Sequence, residues 1–156
     1  GLHRLTVSLD TLDAGRFRQL TRRDGLEHVR RGLEAARAAG FQGLKLDTVV
    51  LRGTNDDELR DITSFAWQHG FVPRFLEVMK IAEGAALLAS APDTLISARE
   101  IRELLGDLLE GGPASRELNR GPAKYVAARA GDGRWKVRAK QGRRGVSAAA
   151  AAPTSS

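Results

Sequence analysis

The chain reads GLKLDTVVL over residues 43–51. In the first half of this stretch apolar residues alternate with Lys45 and Asp47, and the second half is continuously apolar. This pattern is typical of a β-strand that is buried first on one face and then on both. The stretch therefore predicts a central strand with two charged side chains, and each charge needs a partner or a ligand because burial of an unpaired charge is costly.

Helix and strand signals alternate on both sides of this strand. Before it, residues 26–36 place apolar side chains at helical spacing, and the β-branched run at residues 4–9 predicts an earlier strand. After it, Asn55 and Glu58 form a capping-box pattern that predicts the start of a helix, and residues 72–79 predict a third strand. The order strand, helix, strand, helix, strand predicts an α/β fold with a parallel sheet, either open or closed into a barrel.

Weaker signals follow the third strand. Ser97 and Glu100 form a second capping-box pattern, which predicts a helix with apolar residues on one face. These residues are Ile101, Leu104, Leu105 and Leu108. Residues 124–128 and 135–137 predict two short strands joined as a hairpin by a Gly-Asp-Gly turn.

Basic residues are concentrated toward the end of the chain. The net charge is +6, and residues 111–156 hold ten of the 25 Lys and Arg residues but two of the 19 Asp and Glu residues. We interpret this excess as a solvated tail rather than a nucleic-acid surface, because Tyr125 and Trp135 are the only aromatic residues there that could stack on bases. We predict a partial (β/α) barrel over residues 1–138 and a disordered, low-complexity tail over residues 139–156.

Composition excludes several classes of protein. The chain contains no cysteine, so it can form no disulfide, no cysteine zinc site and no cysteine-ligated iron–sulfur cluster. It has neither the apolar run of a membrane span or signal peptide nor the glycine-rich loop of a P-loop or dinucleotide-binding protein. His3, His28 and His69 share no metal-binding spacing. We expect a cytoplasmic protein.

Candidate ligand-binding side chains lie on the predicted strands, where ligands collect in parallel α/β folds. They are Ser8, Lys45, Asp47, Arg74, Glu77 and Met79. Lys45 and Arg74 on neighbouring strands would form a positive site suited to a polyphosphate. The alternatives are that Lys45 pairs with Asp47 or Glu77 in a buried ionic network, or that both cations extend to solvent from an edge. Spacing leaves these alternatives open because it does not fix the strand register.

An ordered set of stretches resembles the GTP 3′,8-cyclases, radical S-adenosylmethionine enzymes of molybdenum cofactor biosynthesis. The matching stretches are RLTVSLDTLD at residues 4–13, residues 17–26, GLKLDTVVLRGTNDDE at residues 43–58, and RFLEVM at residues 74–79. The resemblance covers residues 3–126. The resemblance is specific because all of these stretches occur in this order. No single stretch would be specific alone.

The resemblance implies a partial (β/α) barrel of the radical S-adenosylmethionine type. Members of the family cleave S-adenosylmethionine at a four-iron four-sulfur cluster, and the resulting radical starts the rearrangement of GTP into a cyclic pyranopterin precursor. A second cluster holds the guanine end. By matching motifs, Ser8 and Met79 would contact S-adenosylmethionine, while Lys45 and Arg74 would hold GTP.

The chain also departs from the family pattern. Both cysteine motifs that bind the clusters are missing, and Asp47 and Val78 stand where the family usually has asparagine and phenylalanine. Asp47 adds negative charge beside the expected phosphate site. We therefore expect a truncated copy that is catalytically silent alone. The alternative is a non-catalytic nucleotide-binding module, or a half-barrel completed by a second chain or in a homodimer, since half a barrel leaves open sheet edges.

Overall fold

In this computed structural model, six parts of the chain are described. They are residues 5–41, 43–78, 90–113, 123–129, 136–142 and 145–150. Met79, which the resemblance assigns to S-adenosylmethionine, lies outside these residues, as do His3 and the predicted turn at residues 131–133.

Three parallel strands form the sheet predicted from the sequence. They are β1 (Thr6–Ser8), β2 (Lys45–Val49) and β3 (Val72–Leu76), and they lie side by side in chain order. The central position of β2 and the helical crossovers between the strands confirm the α/β class. Each strand is shorter than the apolar run that predicts it, because pairing ends where the chain turns away from its neighbours.

Within the described residues, four helices accompany the sheet. They are α1 (Ala14–Thr21), α2 (Leu26–Ala38), α3 (Leu59–Gln68) and α4 (Ala98–Leu105). Short 3₁₀ turns at Asp56–Glu58, Pro92–Thr94 and Gly106–Leu108 lead into or out of the regular elements. The helix predicted at residues 26–36 corresponds to α2.

The core lies between the sheet and the helices. Leu46 of β2 and Phe75 of β3 pack in one cluster with Leu33 of α2 and with Ile62 and Ala66 of α3, and each of these residues is at most 1% exposed. Burying a side chain as large as leucine or phenylalanine stabilises the fold by about 1.5–3 kcal/mol. This apolar contact determines which face of the parallel sheet the helices cover.

The second capping box forms as predicted. The Ser97 hydroxyl oxygen accepts a hydrogen bond from the backbone N–H of Glu100, and the Glu100 carboxylate accepts one from the backbone N–H of Ser97. Ile101 and Leu105 are buried beneath α4, whereas Leu104 is 42% exposed. Leu104, which the pattern places on the same apolar face, remains exposed because α4 contacts the core along a narrow stripe of residues four apart.

The first capping box does not form. The side chain of Asn55 makes no cap hydrogen bond to a helix, and a 3₁₀ turn separates it from the start of α3 at Leu59. The Glu58 carboxylate instead accepts from the backbone N–H of Leu12 at 3.2 Å. The side chains of Asn55 and Glu58 therefore bond to residues at and after the ends of β1 and β2, and they do not cap the N-terminus of α3.

Four further strands extend the sheet beyond β3 in antiparallel fashion. They are β4 (Leu109–Pro113), β5 (Ala123–Arg129), β6 (Lys136–Gly142) and β7 (Gly145–Ala150), and the sheet order is β1-β2-β3-β7-β6-β5-β4. The antiparallel pairing of β5 with β6 confirms the predicted strand pair.

The disorder predicted for residues 139–156 is not what the structure has at residues 139–142 and 145–150. There the chain belongs to β6 and β7, and β7 pairs antiparallel with β3 from Arg74↔Ser147 to Leu76↔Gly145. A run of small residues has little apolar surface to bury, but its backbone can still pair with the unpaired N–H and C=O groups at the open edge of β3. Residues 151–156 lie outside the described residues.

Candidate functional site

One face of the parallel sheet carries a group of polar side chains. Side chains alternate along each strand, and the face that α2 and α3 do not cover carries Ser8, Lys45, Asp47 and Arg74, which we call the polar face. The register places Ser8 beside Asp47 and Asp47 beside Arg74, so one residue from each strand lies in a single row. The structure thus brings together the polar residues predicted on β1, β2 and β3.

Arg74 and Asp47 form a bidentate ion pair across β2 and β3. The Arg74 Nε donates to Asp47 Oδ1 at 2.6 Å, and the Arg74 Nη2 donates to Asp47 Oδ2. The Asp47 side chain is 11% exposed and that of Arg74 is 27% exposed. An ionic pair on this face was one of the alternatives, but the partner of Asp47 is Arg74 and not Lys45.

Glu77, which directly follows β3, forms a hydrogen bond with the first turn of α4. Its Oε1 accepts a hydrogen bond at 2.6 Å from the backbone N–H of Ala98, in the first turn of α4. A carboxylate at a helix N-terminus also interacts favourably with the helix dipole. The alternative in which Glu77 pairs with Lys45 is therefore not what the structure shows.

Lys45 is half-buried on the polar face, two residues before Asp47. In the parts of the chain that the structure describes, its ammonium group has no ion-pair partner. Lys45 and Arg74 lie on adjacent strands and are offset by two residues, which places their Cα atoms about 8 Å apart. This spacing lets the two cations reach separate phosphates of one polyphosphate.

Asp10, a half-buried carboxylate that follows β1, was not identified from the sequence as a candidate site residue. Asp10 Oδ1 accepts from the backbone N–H of Val49 at 2.8 Å. Burial raises the pKa of Asp10, the Val49 hydrogen bond lowers it, and the charge of Asp47 raises it further. Its position at the carboxyl end of the predicted first strand was the available signal.

Asn55 organises the same edge of the sheet. It is fully buried, and its Nδ2 donates to the carbonyl oxygens of Asp10 at 2.7 Å and Val49 at 2.9 Å. Its Oδ1 accepts from the backbone N–H of Leu51 at 2.8 Å. These three hydrogen bonds fix the loops that leave β1 and β2, and therefore the position of Asp10 next to the polar face.

The chain offers no ligands for an iron–sulfur cluster. None of its 156 residues is a cysteine, and in the described ranges no group of three or more His, Asp or Glu side chains could hold a metal ion. A search of those ranges also finds no helix with the length and apolar character to cross a bilayer.

Comparison with known proteins gives concordant matches. A family model described as the radical SAM superfamily matches residues 1–66, which include β1, α1, α2 and β2. A GTP 3′,8-cyclase of Pseudomonas putida is 44% identical over 128 residues, which are 80% of this chain and 36% of that relative.

Two further relatives match to a similar extent. A GTP 3′,8-cyclase of Marinobacter nauticus is 41% identical over 131 residues, which are 80% of this chain and 37% of the relative. GTP 3′,8-cyclase 1 of Pseudomonas aeruginosa is 40% identical over 129 residues, which are 81% of this chain and 37% of the relative. The chain therefore spans a little over a third of the length of the curated relatives it matches.

Proposed function

We propose that this chain, which is similar to GTP 3′,8-cyclases over 80% of its length, binds the triphosphate of GTP on its polar face through Lys45 and Arg74. The observation that carries the proposal is the pair of cations on adjacent strands, about 8 Å apart at Cα. Lysine binds phosphate as a point charge and arginine as a planar fork, so together they suit a chain of phosphates.

S-adenosylmethionine would bind beside this site. Ser8 is exposed on β1 and lies in register with Asp47, one strand away from Arg74. We propose that the Ser8 hydroxyl contacts S-adenosylmethionine and that Met79 makes a second contact, as the family resemblance implies. A neighbouring location would bring the two small molecules within reach of each other, as a reaction between them requires.

The radical step is not assigned to these residues. In the radical SAM superfamily an iron–sulfur cluster supplies the electron that cleaves S-adenosylmethionine, and thiolates hold such clusters. Without a cysteine, the 156 residues do not fit a cluster. We therefore propose that this chain binds and orients GTP for molybdenum cofactor biosynthesis but does not convert it alone.

A thermal unfolding scan with and without GTP tests this proposal. At a GTP concentration of about 100 times the dissociation constant, the native state should gain about 2.7 kcal/mol, which raises the melting temperature by several degrees. Lys45→Gln should lose most of this gain while melting normally without ligand, because Lys45 has no ion-pair partner among the described residues.

Arg37→Gln serves as the matched control for that scan. Arg37 is an exposed cation in the last turn of α2, away from the polar face. Its substitution removes the same charge and should leave the GTP-induced shift intact. Equal shifts for wild type and Lys45→Gln would contradict the proposed site, and the absence of any shift in wild type would contradict GTP binding.

The outer edge of β1 supports a second role, completion of the sheet by another strand. Leu5 accepts from the Lys45 N–H and Leu9 donates to the Asp47 carbonyl, so the backbone groups of Thr6 and Ser8 point away from β2. Within the described part of the chain, β1 pairs with β2 alone. We propose that a strand from a second chain pairs along this edge.

Light scattering after size exclusion tests the edge proposal. We expect a defined oligomer for the wild-type chain and a monomer for Thr6→Pro, because proline removes an outward-pointing N–H that the added strand needs. A monomeric wild type at all concentrations, or an oligomer that Thr6→Pro does not weaken, would rule out pairing at this edge.

A further inference from the structure

The fork of Arg74 that suits a phosphate is already occupied. Its Nε and Nη2 edge is bound by both carboxylate oxygens of Asp47, and a phosphate that binds arginine in bidentate fashion uses the same kind of edge. A bound phosphate and Asp47 would therefore compete for the same edge of the Arg74 guanidinium. The anion that loses its contact with Arg74 is left with a negative charge that no cation compensates.

The surroundings of Asp47 determine what happens when Arg74 turns to a ligand. Among the described residues, the neighbours of Asp47 include Ser8 of β1, Asp10 in the loop after β1, and Lys45 of β2. Arg74 faces it from β3, while Glu77, just beyond β3, is bound to the backbone of α4. Lys45 is the cation that GTP itself would engage. The displaced carboxylate would then be left, 11% exposed, beside a second carboxylate.

The electrostatic coupling between the two carboxylates is already evident without a ligand. The negative charge of Asp47 contributes to raising the pKa of Asp10, after the larger effect of burial. This contribution is present even though Arg74 neutralises Asp47 in the ion pair. Removing Arg74 from the pair would strengthen the repulsion, because two carboxylates in a poorly solvated site cannot both remain ionised at low cost.

We propose that Asp47 competes with the phosphate of the nucleotide for Arg74, and that binding of the nucleotide is coupled to uptake of one proton from solvent by the Asp10 and Asp47 carboxylates. This inference rests on the proposed binding of GTP to the polar face. The proton neutralises the negative charge that Arg74 leaves behind. Asp47 thereby sets both the strength of phosphate binding and its dependence on pH.

The direction of the pH dependence follows from linkage. A ligand that binds with uptake of a proton binds more tightly as pH falls. If one full proton is taken up, affinity changes by about tenfold per pH unit over the range in which both carboxylates are ionised in the free protein and one of them is protonated in the complex. Guanosine, which carries no phosphate to displace Asp47, should take up no proton.

Isothermal titration calorimetry of the full chain measures the uptake directly. GTP is titrated at one pH into protein in two buffers with different heats of ionisation, and the difference in binding enthalpy gives the number of protons taken up. We expect about one proton for wild type, by the linkage argument, and none for Asp47→Asn. Asparagine retains an acceptor oxygen for the Arg74 Nε but has no charge to neutralise.

Asp61→Asn is the matched control, because Asp61 is exposed on α3, on the other side of the sheet. It should retain the full proton uptake. GTP binding by wild type with no proton uptake overturns the inference and leaves the binding proposal standing. Failure of both wild type and Asp47→Asn to bind GTP overturns the proposed function, and this inference with it. The wild-type result decides the matter even where a variant fails to fold.

Discussion

Asn55→Ala is expected to lower the free energy of unfolding by about 3–5 kcal/mol, because it leaves three backbone groups without a partner. The affected groups are the carbonyl oxygens of Asp10 and Val49 and the N–H of Leu51, all bonded to the fully buried Asn55 side chain. Each polar group that remains buried and unpaired costs about 1–3 kcal/mol. A loss of this size is a large part of the total stability of an ordinary domain.

Urea unfolding followed by circular dichroism measures this effect. Thr54→Ala is the control: its backbone N–H bonds to Leu51, the substitution leaves that bond in place, and the stability should change by less than about 0.5 kcal/mol. Asn55→Asp should also be strongly destabilising, because a carboxylate cannot donate to the two carbonyl oxygens. A loss below about 1 kcal/mol for Asn55→Ala would show that Asn55 does not organise this edge.

Asn55 also shows where sequence reasoning reaches its limit. The spacing of Asn55 and Glu58 is the same as that of Ser97 and Glu100, and both pairs predict a capping box. The second box forms, whereas Asn55 bonds to loops that follow β1 and β2. Local spacing alone cannot distinguish these outcomes, because the competing partner Asp10 lies 45 residues away in sequence.

The parallel sheet itself was predictable, because apolar periodicity records burial directly. The stretch at residues 43–51 predicts β2, and the signals around it predict β1, α2 and β3, all of which form. Alternation on β2 also places Lys45 and Asp47 on one face. The ion pair of Asp47 with Arg74 was not predictable, because it depends on which residue of β3 lies opposite Asp47. The composition of the two strands does not determine this register.

The antiparallel strands show a different limit. Sequence reasoning predicts order from the apolar surface that a segment can bury, and residues 139–156 have little to bury. The strands at residues 136–142 and 145–150 are held by backbone pairing with each other and with β3. Backbone groups are the same in every residue except proline, so the edge that such a segment will find is not encoded in its composition.

Arg74→Leu is the second substitution with a large expected effect, because it separates the contribution of the ion pair from that of the ligand. It leaves Asp47 unpaired at 11% exposure and near Asp10. Breaking a fully buried ion pair costs about 3–5 kcal/mol, and the partial exposure of Arg74 reduces the expected loss to about 2–3 kcal/mol at neutral pH. GTP should no longer raise the melting temperature of this variant.

The loss should shrink as pH falls. Burial and the charge of Asp47 raise the pKa of Asp10. With Arg74 absent the charge of Asp47 is no longer neutralised, so Asp10 holds a proton more readily in the folded chain than in the unfolded chain. A folded-state pKa above the unfolded value gives a stability contribution that is present at low pH and disappears as pH rises through the folded pKa. Urea unfolding of Arg74→Leu and wild type across the acidic range measures the difference.

The double variant Asp47→Leu with Arg74→Leu decides between two explanations of the loss. If the cost comes from the unpaired carboxylate, replacing both partners with apolar residues should restore stability to within about 1 kcal/mol of wild type and remove the extra pH dependence. If the double variant is no more stable than Arg74→Leu, the Arg74 side chain stabilises the sheet by packing. Asp47 would then have no unbalanced charge to neutralise when Arg74 turns to a ligand, and the proton coupling proposed for nucleotide binding would lose its physical basis.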